Sequence, residues 1–408
     1  MPFRLRRLAA EAIIAASGAA CLLGAALATP AWFEHHILPE FLHPRPGQLQ
    51  ALAALRVTAA AAGLLLILVV RPWAGRLVER KSLRGLAVAV GPSLLAAVLA
   101  VGAAELILDS MTWRSREQSP PMYEPRRVRD LTFGWRQLPD RTGYGVTGGR
   151  RVRYDFDVHG YRVRRLDRPV DLAAPTIVFA GESILQGHGL NYDETAPAQV
   201  AAMTGVQAAN IAVGGYATDQ VYLLVRHELP KFRQPVAVVT IFMPGLFHRN
   251  MDTDRPHLTR GLVWTPPRRQ PRLLEIFGRV APYRSDRDID AGVAATQQAL
   301  GGIVALARAR GAVPLILVPQ IGPETNEERA IRHRVLDAAR LPYVTAPMPA
   351  AWLLPNNRHP DARGARVLAL AVAAYLEHHQ DRDLAPPTPL MPRAARAVQS
   401  TPAPAAVG

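Results

Sequence analysis

Ile177-Val178-Phe179-Ala180-Gly181-Glu182-Ser183 is an apolar run that ends in a small residue, a carboxylate and a hydroxyl. Short, rich in strand-favouring side chains and without polar alternation, it reads as a strand buried on both faces, the pattern of a parallel sheet. A strand that stops at Gly181 hands Ser183 to a loop at the sheet edge, where a substrate can reach it. Working outward, apolar runs alternate with helical stretches from Pro175 onward. Strands are expected at 176–180, 206–212, 236–243, 313–319 and 343–346, and helices at 192–203, 218–229, 289–310, 326–341 and 362–379. Five strands with crossover helices predict an α/β domain with a flavodoxin-like doubly wound parallel sheet, whose ligand edge lies at the carboxyl ends of the strands.

The amino-terminal third has a different composition. Stretches 8–28, 49–70 and 86–108 are each apolar over the ~20 residues that a bilayer crossing needs, with Glu11, Arg56 and Glu105 close enough to an end to reach the interface. Arg4, Arg6 and Arg7 precede the first stretch, and Arg71, Arg76, Arg80, Lys81 and Arg84 fill the loop between the second and third. The positive-inside rule then puts the amino terminus in the cytoplasm and everything after residue 108 on the far side of an inner membrane, in the periplasm. Arg114, Arg116, Arg126 and Arg127 pull the other way. Ala26-Leu27-Ala28 has the form of a signal-peptide cleavage site, and cleavage there would leave the far domain on the same side. The expected organisation is a membrane region (1–110), an Arg-rich linker and lead-in hairpin (111–174), the α/β domain (175–383) with an insertion at 244–288, and a disordered Pro/Ala-rich tail (384–408).

The formal net charge of +15 sits in clusters around the apolar stretches and between residues 114 and 168, a solvated approach near the bilayer, without the aromatic interleaving or motifs of nucleic-acid binding. Cys21 is the one cysteine, so no intrachain disulfide can form. There is no Walker phosphate loop, no His-Glu-x-x-His helix and no Gly-x-Ser-x-Gly elbow, and no cofactor or metal is expected. His35-His36 and His378-His379 are neighbours in sequence and would point apart on a helix, as interfacial or surface residues.

A serine hydroxyl becomes a nucleophile only when a base takes its proton. The candidate base is His359, in Asn356-Asn357-Arg358-His359-Pro360 ahead of the last helix. A glycine turn, Asn210-Ile-Ala-Val-Gly-Gly215, lies between the two. Strand-end serine, glycine turn and late His-Pro together resemble the SGNH (GDSL-type) hydrolases over roughly residues 150–380. The resemblance implies Ser183 as nucleophile, His359 as base, and an oxyanion hole made by the backbone N–H groups of Ser183 and Gly215 with an asparagine side chain following the third strand. Residues 155–162 are similar to the hairpin ahead of the serine in membrane-linked members, where it would shape a substrate wall.

Three departures stand out. Gly181-Glu182-Ser183 replaces Gly-Asp-Ser. Phe242-Met-Pro-Gly245 stands where the family has Gly-x-Asn-Asp, leaving Asn250 or Arg249 to turn back as the third donor. The histidine-orienting aspartate is replaced by Asn356 or Asn357, whose amide accepts a hydrogen bond but cannot offset the imidazolium charge. The resemblance therefore implies a Ser-His dyad in a membrane-anchored serine esterase or O-acyltransferase, acting on ester-linked acyl groups of a cell-envelope glycan or lipid. The departures leave open a non-catalytic glycan-binding protein, or one that holds partners in an envelope polysaccharide assembly.

Overall fold

The computed structural model describes residues 3–37, 45–80, 83–117, 124–252, 257–259, 261–265, 271, 273–274, 278, 283–355 and 357–383; the tail 384–408 and Asn356 lie outside them. Two compact units emerge, Met1–Ser119 with Arg269–Asp286, and Pro120–Arg268 with Arg287–Gly408.

The first unit is helical: Phe3–Leu27, Pro30–Ile37, Arg45–Leu65 continuing through a π-turn at Leu66–Val70 into Arg71–Arg80, and Leu83–Glu117. Segments Arg4–Leu27, Arg45–Glu79 and Gly91–Leu108 are long and apolar enough to cross a membrane, with mean hydropathy 1.8, 2.3 and 1.9. Small residues let two of these helices approach closely, for a Cβ on Gly18 would fall 2.8 Å from the Gly63 carbonyl and one on Gly63 2.7 Å from that of Gly18. The ionisable residues of these segments have protein partners that the sequence does not reveal. Glu11 pairs with Arg7 at 2.7 Å and Arg71 at 3.5 Å, Arg56 Nε donates to the Ala25 carbonyl at 2.8 Å, and Glu105 accepts the Leu273 N–H at 2.8 Å.

The second unit is built on one eight-stranded sheet. Strands β1 (Arg127–Asp130) and β2 (Gly134–Gln137) form a separate antiparallel hairpin. Strands β3 (Arg141–Thr147), β4 (Arg150–Phe156) and β5 (Arg162–Val163) lead into β6 (Pro175–Ala180), β7 (Gln207–Asn210) and β8 (Gln234–Ile241). A small hairpin, β9 (His257–Thr259) with β10 (Val263–Thr265), precedes β11 (Val313–Ile321) and β12 (Tyr343–Met348). The main sheet runs β12-β11-β8-β6-β7-β5-β4-β3. Its β6, β7, β8, β11 and β12 are parallel, so in chain order the parallel part reads 2-1-3-4-5, the flavodoxin-like arrangement. Ile177, Val178, Phe179, Val238, Val239, Ile316 and Leu317 have no exposed surface, as central parallel strands covered on both faces require.

The lead-in differs from the expected approach segment: β5 pairs antiparallel with β7 through Arg162 and Asn210, and β4 and β3 follow, so these residues extend the main sheet. Within the segment expected as an insertion, Pro244–Met251 is a 3-10 helix with Leu246 and Phe247 buried. Helix Asp286–Ala309 has enough length and hydropathy for a crossing, yet Ile289, Val293, Leu300, Ile303 and Val304 recur at helical spacing on a buried face. Close approaches of Gly292 to Met251 and Phe247, and of Gly302 to Tyr222, mark it as a covering helix of the α/β unit.

Candidate active site

Ser183 follows β6 through a turn with no spare room. A Cβ on Gly181 would lie 2.6 Å from Ile241 Cγ2 and 2.9 Å from Leu185 Cδ1, so only glycine fits between the strand and the serine. Glu182 is extended and caps the one-turn helix Ser183–Gln186, its Oε1 accepting the Ile184 N–H at 3.2 Å. Gly187 then takes a left-handed conformation (φ 77°), and the His188 N–H returns to the Ser183 carbonyl at 2.9 Å.

A buried guanidinium fixes this loop. Arg162 Nη1 donates to the Gln186 and Gly187 carbonyls at 2.6 Å each, Nη2 donates to the Leu190 carbonyl, and the cation lies 4.6 Å from the Tyr154 ring centroid. Burial pulls its pKa down to about 10, still leaving it charged at neutral pH. Tyr154 Oη accepts the Gly189 N–H at 2.8 Å, so the lead-in strands hold the serine loop from below.

His359 arrives on the connection between β12 and helix Ala362–Asp383. The connection is braced by the Leu354 N–H on the His359 carbonyl at 2.7 Å and the Leu353–Pro360 bridge, and Asp361 caps the helix by accepting the Arg363 and Gly364 N–H groups. His359 Nε2 lies 2.8 Å from Ser183 Oγ. Its Nδ1 is hydrogen-bonded to Asn357 Oδ1 and lies 3.2 Å from the Asn357 carbonyl. With Nδ1–H donated to these oxygens, Nε2 keeps its lone pair for the serine proton. Burial lowers the His359 pKa to about 4, opposed by the Asn357 backbone contact and assisted by the Arg249 charge. The imidazole is neutral at pH 7 and able to act as a base.

Glu182 makes a contact the sequence does not announce. Its Oε2 accepts from Ser183 Oγ at 2.6 Å, and Arg249 Nη1 stands 3.8 Å from the same oxygen. The one hydroxyl proton of Ser183 thus has two alternative acceptors, Glu182 Oε2 and His359 Nε2.

The glycine turn borders the serine: a Cβ on Gly214 would be 3.8 Å from Ser183 Cβ. Gly215 has φ 84°, and a Cβ there would fall 3.2 Å from Arg127 Nη1 and 3.4 Å from Trp135. Arg127 and Trp135, from the β1–β2 hairpin, both donate to the Gly214 carbonyl, at 2.9 and 3.1 Å. Asn250 is held elsewhere. Its Oδ1 accepts the Thr218 N–H at 2.8 Å and its Nδ2 donates to Thr218 Oγ1 at 3.1 Å and Thr296 Oγ1 at 2.7 Å, so both amide protons are engaged in tying Pro244–Met251 to two helices. Arg249, not Asn250, turns back toward Glu182.

His188 is a further site residue that sequence reading passed over. Its ring centroid is 4.8 Å from that of His359, and burial, with the His359 charge second, drops its pKa to about 3. Its placement between the left-handed Gly187 and Gly189, five residues after the serine, is the signal that could have marked it as part of a loop folding back. Beyond Glu182 a mainly apolar recess of about 20 Å3, room for about one water, is lined by Tyr216, Ile241, Phe242, Met243, Leu246 and Phe247 among others.

In the other unit, ligand-type atoms of His35, His36 and Asp286 lie within 4.8 Å of one another. The two histidine rings meet edge to face, instead of pointing apart. Direct hydrogen bonds account for the group: His35 Nε2 to Asp286 at 2.8 Å and His36 Nδ1 to the Arg284 carbonyl at 2.8 Å.

A hydroxyl lies between imidazole and carboxylate, beside a glycine turn at the carboxyl edge of a 2-1-3-4-5 sheet. No family model matches the sequence, and no curated protein sequence matches it. Solved structures similar to the chain include a lipolytic protein of the G-D-S-L family from Veillonella parvula (12% identity, 49% of this chain and 97% of that one, TM-score 0.30). They also include a carbohydrate acetylesterase from Sinorhizobium meliloti (11% identity, 50% and 99%, TM-score 0.31) and an acetyl xylan esterase from Butyrivibrio proteoclasticus (12% identity, 52% and 66%, TM-score 0.34).

Proposed function

We propose that the chain is a membrane-anchored serine esterase or O-acyltransferase that acts on ester-linked acyl groups of a cell-envelope glycan or lipid, with its α/β unit in the periplasm. The supporting observation is the 2.8 Å approach of His359 Nε2 to Ser183 Oγ, across 176 residues of chain, with Nδ1 turned to Asn357. Ser183 Oγ attacks the ester carbonyl as its proton passes to His359 Nε2. The carbonyl oxygen takes up the charge beside the Ser183 and Gly215 amides, and the imidazolium returns the proton to the departing alcohol. A water or a second hydroxyl then takes the acyl group from Ser183.

A fluorophosphonate probe tests this on the full chain in detergent. Labelling is expected in the native protein, abolished in Ser183→Ala and at least tenfold slower in His359→Ala. No labelling of folded native protein would favour the non-catalytic binding reading. The expected topology is checked with a reporter fused after residue 383, where activity of a cytoplasm-only reporter contradicts export.

A further inference from the structure

Asn357 gives the imidazole an acceptor without a charge, so the imidazolium formed during attack lacks the carboxylate that a Ser-His-Asp triad would set on Nδ1. The structure places a carboxylate on the opposite side. Glu182 Oε2 is 2.6 Å and His359 Nε2 2.8 Å from the same Ser183 Oγ. The two groups are therefore no more than the sum of these distances, 5.4 Å, apart. An opposite charge within about 4–6 Å favours the charged form of a titratable group. Glu182 is only 6% exposed, so solvent screens little of that field, and Arg249 Nη1 stands 3.8 Å from its Oε2.

The side-chain length is what makes the contact. An aspartate at position 182 could cap the same turn through the Ile184 N–H, but its carboxylate would stop one methylene short of Oγ. The extra methylene lets one carboxylate serve the cap with Oε1 and the nucleophile with Oε2.

Resting on the esterase reading above, we infer that Glu182 is a catalytic residue: it supplies, from the nucleophile's side, the negative charge that Asn357 lacks on the imidazole's far side. During attack the Ser183 O–H bond breaks, its proton goes to His359 Nε2 and the Oγ pair forms the bond to the acyl carbon. The carbonyl π pair moves onto oxygen. The Glu182 carboxylate faces the imidazolium across Oγ. When the intermediate collapses, the carbon–oxygen bond to the alcohol breaks and the leaving oxygen takes the proton from Nε2. The groups facing this pair are Arg249, His188 and Asn357; Arg249 opposes the imidazolium, and burial keeps His188 neutral.

The test is a double-mutant cycle read by the fluorophosphonate labelling rate. Glu182→Gln keeps the shape and the cap and removes the charge. It is expected to slow labelling about tenfold in the native background and less than about threefold in Asn357→Asp, where a carboxylate on Nδ1 takes over. Equal losses in both backgrounds, the result of a purely capping role, would overturn the inference, as would no loss in either. Should Glu182→Gln not fold, as judged by its melting temperature, Glu182→Asp is measured in the same two backgrounds under the same criterion. Native protein that labels at Ser183 while Glu182→Gln labels as fast sinks this inference alone. Native protein that does not label sinks the esterase reading and this inference with it.

Discussion

Replacing Asn357 by Asp should speed the chemistry. Asn357 Oδ1 already accepts from His359 Nδ1, so the tautomer is correct in the native chain and the substitution adds charge without reorienting the ring. A carboxylate in hydrogen-bond contact raises a histidine pKa by about one to three units, which is ~1.4–4 kcal/mol of imidazolium stabilisation. If about half of that charge has developed at the transition state, the barrier falls by ~0.7–2 kcal/mol and the rate rises about 3- to 30-fold. A gain at the lower end follows if Glu182 already offsets part of the charge. The pH profile gives a second reading. Protonated His359 cannot accept the serine proton, so labelling is lost as pH falls through its pKa, near pH 4 in the native chain. In Asn357→Asp the inflection should move up to between about pH 5 and 7. Labelling rates across pH 3.5–8, on variants with native-like melting, provide the measurement. An unchanged or lower plateau with an unshifted inflection would refute the placement of Asn357 as the imidazole's partner.

Asn250→Ala separates two roles for that residue. Loss of its bonds to Thr218 and Thr296 should cost about 1–3 kcal/mol in denaturant unfolding and slow labelling less than about threefold, whereas loss of an oxyanion donor costs about a hundredfold or more. Arg162→Met should strand the carbonyls of Gln186, Gly187 and Leu190, lowering stability by about 3 kcal/mol or more and slowing labelling of whatever protein folds; full activity with native stability would contradict its role as the loop's anchor. Acid should weaken the fold through two histidines. Their folded pKa values, about 4 for His359 and about 3 for His188, lie below the unfolded value of about 6.5. Their stabilisation is complete above pH 6.5 and declines as pH falls toward 4 and 3, by on the order of 3 kcal/mol per histidine. His188→Asn should reduce that acid sensitivity in unfolding measured at pH 7 and 4.5, and an unchanged difference would argue against a buried neutral His188.

Much of the α/β unit was legible because buried parallel strands carry their own signature. The runs expected at 176–180, 313–319 and 343–346 correspond to β6, β11 and β12, the last two ending two residues later, since apolar runs between helices admit few other readings. Helix 326–341 was legible only in part. Asn326–Arg332 is α-helical and His333–Asp337 is a π-turn, a change of hydrogen-bond register that periodicity cannot report. Of the site, Ser183 and His359 could be named from motif position, because a strand end and a helix entry each place a side chain on the same edge. Glu182 and His188 could not be assigned their contacts. Glu182 works through the length of one methylene, and His188 through two left-handed glycines; both are matters of ångströms, which residue type alone does not encode. Asn250 misled for a related reason, since proximity in sequence to the third strand says nothing about which way a 3-10 helix turns its amide.

The arginine-rich stretch ahead of β6 shows the same limit from the side of charge. Read as composition, it is a basic surplus suited to a solvated segment near a bilayer. In the fold, Arg141 meets Glu124, Arg150 meets Glu194, Arg153 meets Asp155, Arg127 reaches the Gly214 carbonyl, and Arg162 holds the carbonyls that follow the serine. The pairs made by Arg150 and Arg153 are partly exposed and contribute little each. Arg162 is different, because a fully buried cation surrounded by carbonyls is expensive to desolvate and so holds only where the chain around it is closely determined. That cost ties the position of Ser183 to β4 and β5. A truncation beginning at Pro175 would keep every parallel strand and the Ser183–His359 pair in sequence, yet remove the three strands and the guanidinium that hold the serine loop against His359.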